Sequence, residues 1–311
     1  MNNKIRINKT DYQAILEMRN ECLTSLPKFQ DLYLEIVVKD SDYYLLLSEF
    51  QTIGYAVVND SNTLVEFYVC AKYLKESCWQ EEGDFTYQTK VNERCNELFK
   101  TILSECKIEQ ILCKSFDMQL MNCCNANRLP HTVQGILYRE FSAPLSSPEN
   151  NSHITASTHL TDTSRLADNF VANNFLDSAN VVMRYAQISD LPFLISQDDE
   201  VFEPKEHLEV NVNRKEIIIC EKNSLIVGCG FLTRIAEDFD YFDLGVWVNP
   251  DHRRKGYAVS IMQYMRSLCL TSGWVPICGC SVENHASQKM LSKIGYVCNH
   301  KLLEFRNVIL D

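Results

Sequence analysis

The sequence predicts an α/β (α+β) protein of two tandem domains, each with a mixed, mostly antiparallel central sheet flanked by helices. The chain has 311 residues, which exceeds the roughly 100–200 residues of one ordinary domain. Short apolar, β-branched runs alternate with helically spaced apolar residues in both halves. The second half repeats the order of the first, and this repetition indicates the duplication of one unit.

The first half begins with an edge strand and a helix, continues through three strands joined by turns, and ends with helix, strand, helix and strand. Runs linked by short turns are typical of consecutive antiparallel strands. The predicted strands are 4–7, 43–51, 52–58, 63–69, 108–113 and 133–141, and the predicted helices begin near Asp11 and span 91–103 and 118–125.

A linker is predicted over residues 146–179, because its first part is polar and has no apolar periodicity. A short helix is expected near its end, at 164–174. The first domain is then 1–145 and the second is 180–311. The second domain opens with a strand and a helix capped by Ser189 and Asp190. The segments with similar residue patterns are 45–54 with 217–228, and 111–141 with 277–305.

Composition excludes several classes of function. The net charge of −11 opposes nucleic-acid binding and suits a cationic amine substrate. The sequence has no apolar run long enough to cross a membrane and no apolar core of a signal peptide near Met1. We therefore expect a cytoplasmic protein that binds no membrane. The 14 cysteines include no Cys-x-x-Cys pair, so we expect buried, reduced thiols and no metal site.

One stretch of the second half has the properties of an anion site. An apolar strand pattern ends at Asn249 and Pro250, a basic loop follows, and apolar residues then recur at helical spacing. The N–H groups of a first helical turn have no partners within the helix, and the helix dipole is positive there. Gly256 allows the backbone to approach a phosphate closely.

Two motifs in this half resemble those of a known family. Arg253-x-x-Gly256-x-Ala258, after a strand, resembles the Arg/Gln-x-x-Gly-x-Gly/Ala signature of the GNAT superfamily of acyl-CoA-dependent N-acyltransferases. The segment from Asn284 through Ser287 to Gly295-Tyr296 resembles the family's Asn-x-x-Ala/Ser-x-x-Leu-Tyr-x-Lys-x-Gly-Phe segment. The resemblance covers residues 180–311 and implies a GNAT acetyltransferase domain there.

The resemblance implies acetyl-CoA as co-substrate, with its pyrophosphate on the loop amides and its pantetheine arm along the strand backbone. It implies no metal. Asn284 can bind pantetheine, cap a helix, or do both. The residues that the resemblance assigns to cofactor binding are Val246, Trp247, Val248, Arg253, Arg254, Lys255, Gly256, Tyr257, Ala258, Val259, Asn284 and Ser287.

The catalytic groups are less evident. Family members often place a Tyr at the position that matches Leu291, and Leu cannot donate a proton. Asp243 and Glu283 are the carboxylates closest in sequence to the expected reaction centre, and both are also typical of a solvated surface. His285 is a further possible base, although a surface histidine at a helix start is the more common case.

The first half lacks the loop motif after its strand at 63–69 and carries several carboxylates there. It resembles the degenerate partner domain of some tandem GNAT proteins. We predict an N-acetyltransferase that transfers an acetyl or other acyl group directly to a primary amine of a small molecule or a protein. The alternative is a non-catalytic acyl-CoA-binding module. A cysteine-dependent enzyme, suggested only by His285 near Cys280, is a third possibility.

Overall fold

The computed structural model describes residues 5–49, 51–76, 85–141 and 181–307. The linker and the short helix predicted at 164–174 lie outside these residues. The chain forms two compact units, the first made of residues 1–137, 280–283 and 299–311, and the second made of residues 138–279 and 284–298. Each unit therefore includes residues from the opposite half of the sequence.

The elements follow the predicted order and type closely. The strands are β1 (Ile5–Thr10), β2 (Asp42–Ser48), β3 (Gln51–Val58), β4 (Thr63–Val69), β5 (Gln110–Lys114), β6 (His131–Phe141), β7 (Val181–Tyr185), β8 (Ile217–Lys222), β9 (Leu225–Arg234), β10 (Tyr241–Val248), β11 (Val275–Ser281) and β12 (Tyr296–Arg306). The helices are α1 (Tyr12–Ser25), α2 (Leu32–Lys39), α3 (Ala71–Glu76), α4 (Phe85–Glu105), α5 (Met118–Ala126), α6 (Leu191–Ser196), α7 (Leu208–Asn213), α8 (Tyr257–Thr271) and α9 (His285–Lys293).

Helices α2, α3 and α7 are absent from the sequence prediction. Helix α2 has the sequence LYLEIVVK, whose apolar and β-branched residues are equally typical of a strand. Its start is set by Asp31, whose side chain accepts a hydrogen bond from the N–H of Tyr33 at 3.0 Å. The capping hydrogen bond therefore favours a helix at a position where the apolar pattern fits a helix and a strand equally well.

In the first unit, β1, β2, β3 and β4 pair antiparallel in sequence order. Strand β5 runs parallel to β4, but the two pair only where Thr63 and Leu64 meet Gln110 and Ile111. The other edge of β5 pairs antiparallel with the second part of β12. One apolar core packs under α4 and α5 and another under α1 and α2, so both faces of the sheet are covered.

A charged network lies buried in the first unit. Arg19 donates to both carboxylate oxygens of Glu66, from Nε at 2.9 Å and Nη2 at 2.9 Å, and Nη2 also bonds Glu35 at 2.6 Å. The side chain of Gln30 bonds both glutamates and accepts from Lys114. Burial by itself would raise the pKa of Glu66, but the charge and hydrogen bonds of Arg19 outweigh it and lower that pKa to about 2.

In the second unit, β7, β8, β9 and β10 also pair antiparallel in sequence order. Strand β11 runs parallel to β10 but pairs with it only from Tyr241 to Asp243. An aromatic core includes Trp247, whose ring centroid lies 5.1 Å from that of Phe202. At the end of β6, Arg139 donates to the carbonyl of Cys278 at 2.8 Å.

The two units repeat each other in backbone detail. Gly54 of β3 stands opposite Val69 of β4, and Gly228 of β9 stands opposite Val248 of β10. An added Cβ would lie 2.1 Å from a carbonyl oxygen at Gly54 and 2.7 Å from one at Gly228, so both positions need glycine for close backbone approach. The register irregularities also correspond, lying between Leu46 and Leu47 in β2–β3 and between Cys220 and Glu221 in β8–β9.

Two further properties concern the described residues as a whole. No helix among them is both long enough and apolar enough to cross a membrane. Their cysteines are free thiols, and most of these thiols are buried.

Candidate cofactor-binding and active site

The junction between β10 and α8 forms a tight loop. The side chain of Asn249 accepts from the N–H of Asp251 at 3.1 Å and starts a short 3₁₀ turn, Pro250–His252. Arg254 follows with a φ of 62°. Gly256 has a φ of 90° and immediately precedes α8, a backbone conformation that residues with a Cβ rarely adopt. The glycine of the motif is thus required by the backbone itself.

The first turn of α8 is open to a ligand. Gly256 has no side chain to cap the helix. The N–H of Ser260 donates to the carbonyl of Gly256 at 3.1 Å and begins the helical hydrogen-bond series. The amides of Tyr257, Ala258 and Val259 therefore precede the first intrahelical bond and point out of the helix end. Together with the helix dipole they form a suitable cradle for phosphate oxygens.

Three cations surround this turn and are exposed. Arg253 donates from Nε to the carbonyl of Val248 at 3.0 Å, which holds its stem against the strand end. Lys255 bonds the carbonyl of Asp251 at 2.9 Å. Since the guanidinium of Arg253 is half exposed and Arg254 is exposed, both can reach an anion in solvent.

Within the described residues, the parallel pairing of β10 with β11 stops at Asp243, and beyond it this edge of β10 has no strand partner. Asn249 directs its N–H to Val227 of β9 at 3.0 Å. Because alternate residues of a strand direct their N–H and C=O groups to opposite sides, Val248 and Val246 direct theirs away from β9 and into this gap. An extended amide-containing chain can pair with such an edge.

Two of the predicted cofactor residues could contribute to binding only through the backbone. The side chain of Trp247 is 6% exposed and packs in the aromatic core. The side chain of Tyr257 is 3% exposed, with its ring 6.2 Å from that of His252. Neither ring lies at the surface where a ligand would bind. The sequence motif does not show which of its side chains are buried in this way.

The second motif begins a helix. Asn284 accepts a hydrogen bond at its side-chain oxygen from the N–H of Ser287 at 3.0 Å and thereby caps α9. Cofactor binding by these two residues remains a prediction. The same carboxamide still has N–H groups with which to donate to a ligand.

Substitutions at Asn284 separate its two roles. Asn284→Ala should cost about 1 kcal/mol through loss of the cap. Asn284→Asp should restore that stability, because aspartate is an equally good cap, yet lower acetyl-CoA affinity about fivefold, because a carboxylate cannot donate. Thermal unfolding and calorimetric titration measure the two effects. Equal restoration of stability and affinity in the aspartate variant would leave Asn284 as a cap alone.

The carboxylate candidates differ in their surroundings. Asp243 is half-buried on β10 at the last residue pair before the gap opens, opposite Ile277 of β11. Glu283 is exposed and belongs to the short segment Cys280–Glu283 of the first unit. Leu291 is 2% exposed and part of the core. Because a leucine side chain has no ionisable proton, residue 291 cannot act as the proton donor.

An open acidic pocket lies on the surface beside the loop. It has a volume of about 410 Å³ and is lined by Asp198, Asp199, Glu200 and Glu203. A carboxylate oxygen of Asp199 lies 4.0 Å from Nη2 of Arg253, so the pocket adjoins the basic loop. Sequence reasoning missed these residues, although the run of acidic residues from 198 to 200 was a visible signal.

The fold and the site define a duplicated α/β protein whose second unit carries a basic strand–loop–helix junction. Residues 11–78 and residues 162–297 each match a protein family described as an acetyltransferase (GNAT) domain. The chain belongs to the GNAT superfamily, with a GNAT domain in each half.

Two solved structures have a similar fold over nearly the whole chain. A GNAT-family acetyltransferase from Colwellia psychrerythraea superposes with a TM-score of 0.71 at 14% identity, covering 97% of this chain and 99% of that one. A tandem GNAT protein from the clavulanic acid biosynthesis pathway superposes with a TM-score of 0.53 at 8% identity, covering 98% of both chains. These identities support the fold alone.

One curated relative is similar in sequence. The uncharacterized N-acetyltransferase YjdG of Bacillus subtilis is 36% identical over 96 residues, which are 30% of this chain. The match spans 56% of the length of YjdG.

Proposed function

We propose that this protein is an acetyltransferase that binds acetyl-CoA in its second unit and transfers the acetyl group to a primary amine. The observation that carries the proposal is the uncapped first turn of α8, with Gly256 at a φ of 90°, beside the open edge of β10. The loop amides and exposed arginines suit a pyrophosphate, and the strand edge suits the amides of pantetheine.

Direct transfer of the acetyl group from the thioester to the amine requires few catalytic side chains. The neutral amine attacks the thioester carbonyl, a C–N bond forms, the C–S bond breaks, and a proton lost by the amine is balanced by one gained by the leaving thiolate. Asp243 lies where the strands diverge and is the candidate to accept the proton from the amine, directly or through water. Strand N–H groups at the gap would polarise the carbonyl. Positioning of the two substrates supplies the remainder.

The net charge of −11 supports a cationic acceptor, because an acidic protein attracts an ammonium group more than a neutral or anionic one. Such an acceptor is protonated in solution and must lose a proton before attack, which is the role assigned to Asp243. Polyamines and the lysine side chains of peptides are the acceptor types to test first.

A non-catalytic acyl-CoA-binding module is the second candidate. The buried Leu291 favours it, because the position that often carries a proton donor in the family is part of the core here. The two candidates share the cofactor site and differ only in turnover.

Binding and turnover can be measured separately. Calorimetric titration of acetyl-CoA should show one site per chain, and thiol release should depend on an added amine from a panel of polyamines and lysine peptides. Absence of binding would refute both candidates. Binding without thiol release for any amine would favour the module.

Asp243→Asn tests the proton acceptor. The variant keeps the side-chain shape, so acetyl-CoA affinity should stay within about twofold, while amine-dependent thiol release falls at least about tenfold at neutral pH. A rate that recovers as pH rises would agree with loss of a base. Asp238→Asn, a carboxylate on the turn before β10, is the matched control and should change neither quantity; unchanged turnover in Asp243→Asn would remove that residue from the mechanism.

A further inference from the structure

The first unit contains an unusual contact at the end of β4. The side-chain carboxamide of Gln119, on α5, accepts from the N–H of Val69 at 2.9 Å and donates to the carbonyl of Val69 at 3.1 Å. One primary amide thus satisfies both backbone groups of one strand residue. An extended amide-containing chain at a strand edge satisfies the same two groups, with a C=O and an N–H that belong to two successive amides.

Val69 is the counterpart of Val248. Each stands opposite the closely approached glycine of the preceding strand. In each unit the next residue donates its N–H back to that strand, Cys70 to Ile53 at 2.9 Å and Asn249 to Val227 at 3.0 Å. Both valines therefore direct their own backbone groups into the gap where the parallel partner strand has separated.

The helix that follows the gap differs between the units. In α5, Gln119 is the second residue after the cap Asp117. In α9, the second residue after the cap Asn284 is Ala286, whose methyl group has no donor or acceptor. At Val248 the carbonyl accepts from Nε of Arg253 at 3.0 Å and the N–H is directed into the gap, whereas Gln119 bonds both backbone groups of Val69.

We infer that Gln119 is a built-in substitute for an amide ligand, which occupies in the first unit the strand position whose counterpart in the second unit, Val248, has its N–H directed into the gap. The inference rests on the proposed function for the role of Val248, and on hydrogen bonds within the first unit for the role of Gln119. It gives the duplicated chain a single amide-binding edge for acetyl-CoA. The first GNAT unit remains folded with its edge satisfied and without cofactor.

Hydrogen exchange of individual amides on the full chain tests the inference. The Val69 amide should be protected without any ligand, and Gln119→Ala should speed its exchange about tenfold. Gln119→Glu keeps an acceptor for the Val69 N–H, so it should retain most of the protection. Met118→Ala, an exposed neighbour on the same helix, is the control and should leave Val69 unchanged.

Saturating acetyl-CoA separates this inference from the proposed function. In the unsubstituted chain it should slow exchange at Val248 and leave Val69 unchanged. Protection of Val69 that depends on acetyl-CoA, or that survives Gln119→Ala, would overturn the inference. Loss of Val69 protection in Gln119→Ala, with no acetyl-CoA effect at Val248, would support closure by Gln119 and refute the cofactor site of the second unit.

Discussion

Gly256→Glu should abolish acetyl-CoA binding, with a loss of affinity of at least about a hundredfold, or about 2.7 kcal/mol. The new side chain places a negative charge where the proposed pyrophosphate lies. It also adds a Cβ at a φ of 90°, which costs roughly 1–2 kcal/mol for an L residue and shifts the loop amides. A carboxylate near a helix N-terminus is itself favourable, so the fold should persist. Calorimetric titration measures the result.

A matched variant isolates the effect of position from that of strain. Gly273 follows α8 with a φ of 75°, and a Cβ added there would meet nothing within 4 Å. Gly273→Glu therefore introduces the same charge and a similar backbone strain away from the loop. It should bind acetyl-CoA like the unsubstituted chain. Equal loss of binding in both variants would show that strain, and not the loop, explains Gly256→Glu.

Arg19→Met should destabilise the first unit by about 3–5 kcal/mol, because it leaves Glu35 and Glu66 buried without their main cation. Glu66 in the unsubstituted chain has a pKa lowered to about 2, below the ordinary 4.5. Its ionised form therefore contributes stability above pH 4.5, and this contribution is lost as pH falls toward 2. Without Arg19, burial should raise that pKa, so the variant should regain stability as pH falls from 7 toward 5.

Native-state hydrogen exchange at the amides of β3 and β4 measures this loss within the first unit. Lys9→Met is the control, since Lys9 pairs with Asp42 in the same unit and both side chains are exposed. It should cost little stability and show no such dependence on pH. A loss below about 1 kcal/mol in Arg19→Met would mean that the buried network contributes little to stability.

The sequence by itself determined the α/β class, the duplication, most strands and the basic loop of the second half. These features are local, because a strand pattern, a turn or a glycine motif depends on residues that are adjacent in the sequence. The prediction for 63–69 matches β4 residue for residue, because the turn before it fixes its start and its β-branched and aromatic residues favour a strand. Helix α2 was missed because its local pattern was ambiguous.

Only the tertiary structure decided which residues face the site and which belong to the core. Trp247 and Tyr257 lie within the motif, but packing buries their rings, whereas Arg253 meets Asp199 across 54 positions of sequence. Gln119 reaches Val69 across 50 residues, and Arg19 reaches Glu66 across 47. Contacts between residues so far apart depend on how strands and helices pack. Packing follows from the burial of apolar surface throughout each unit, and a local sequence motif contains no information about that burial.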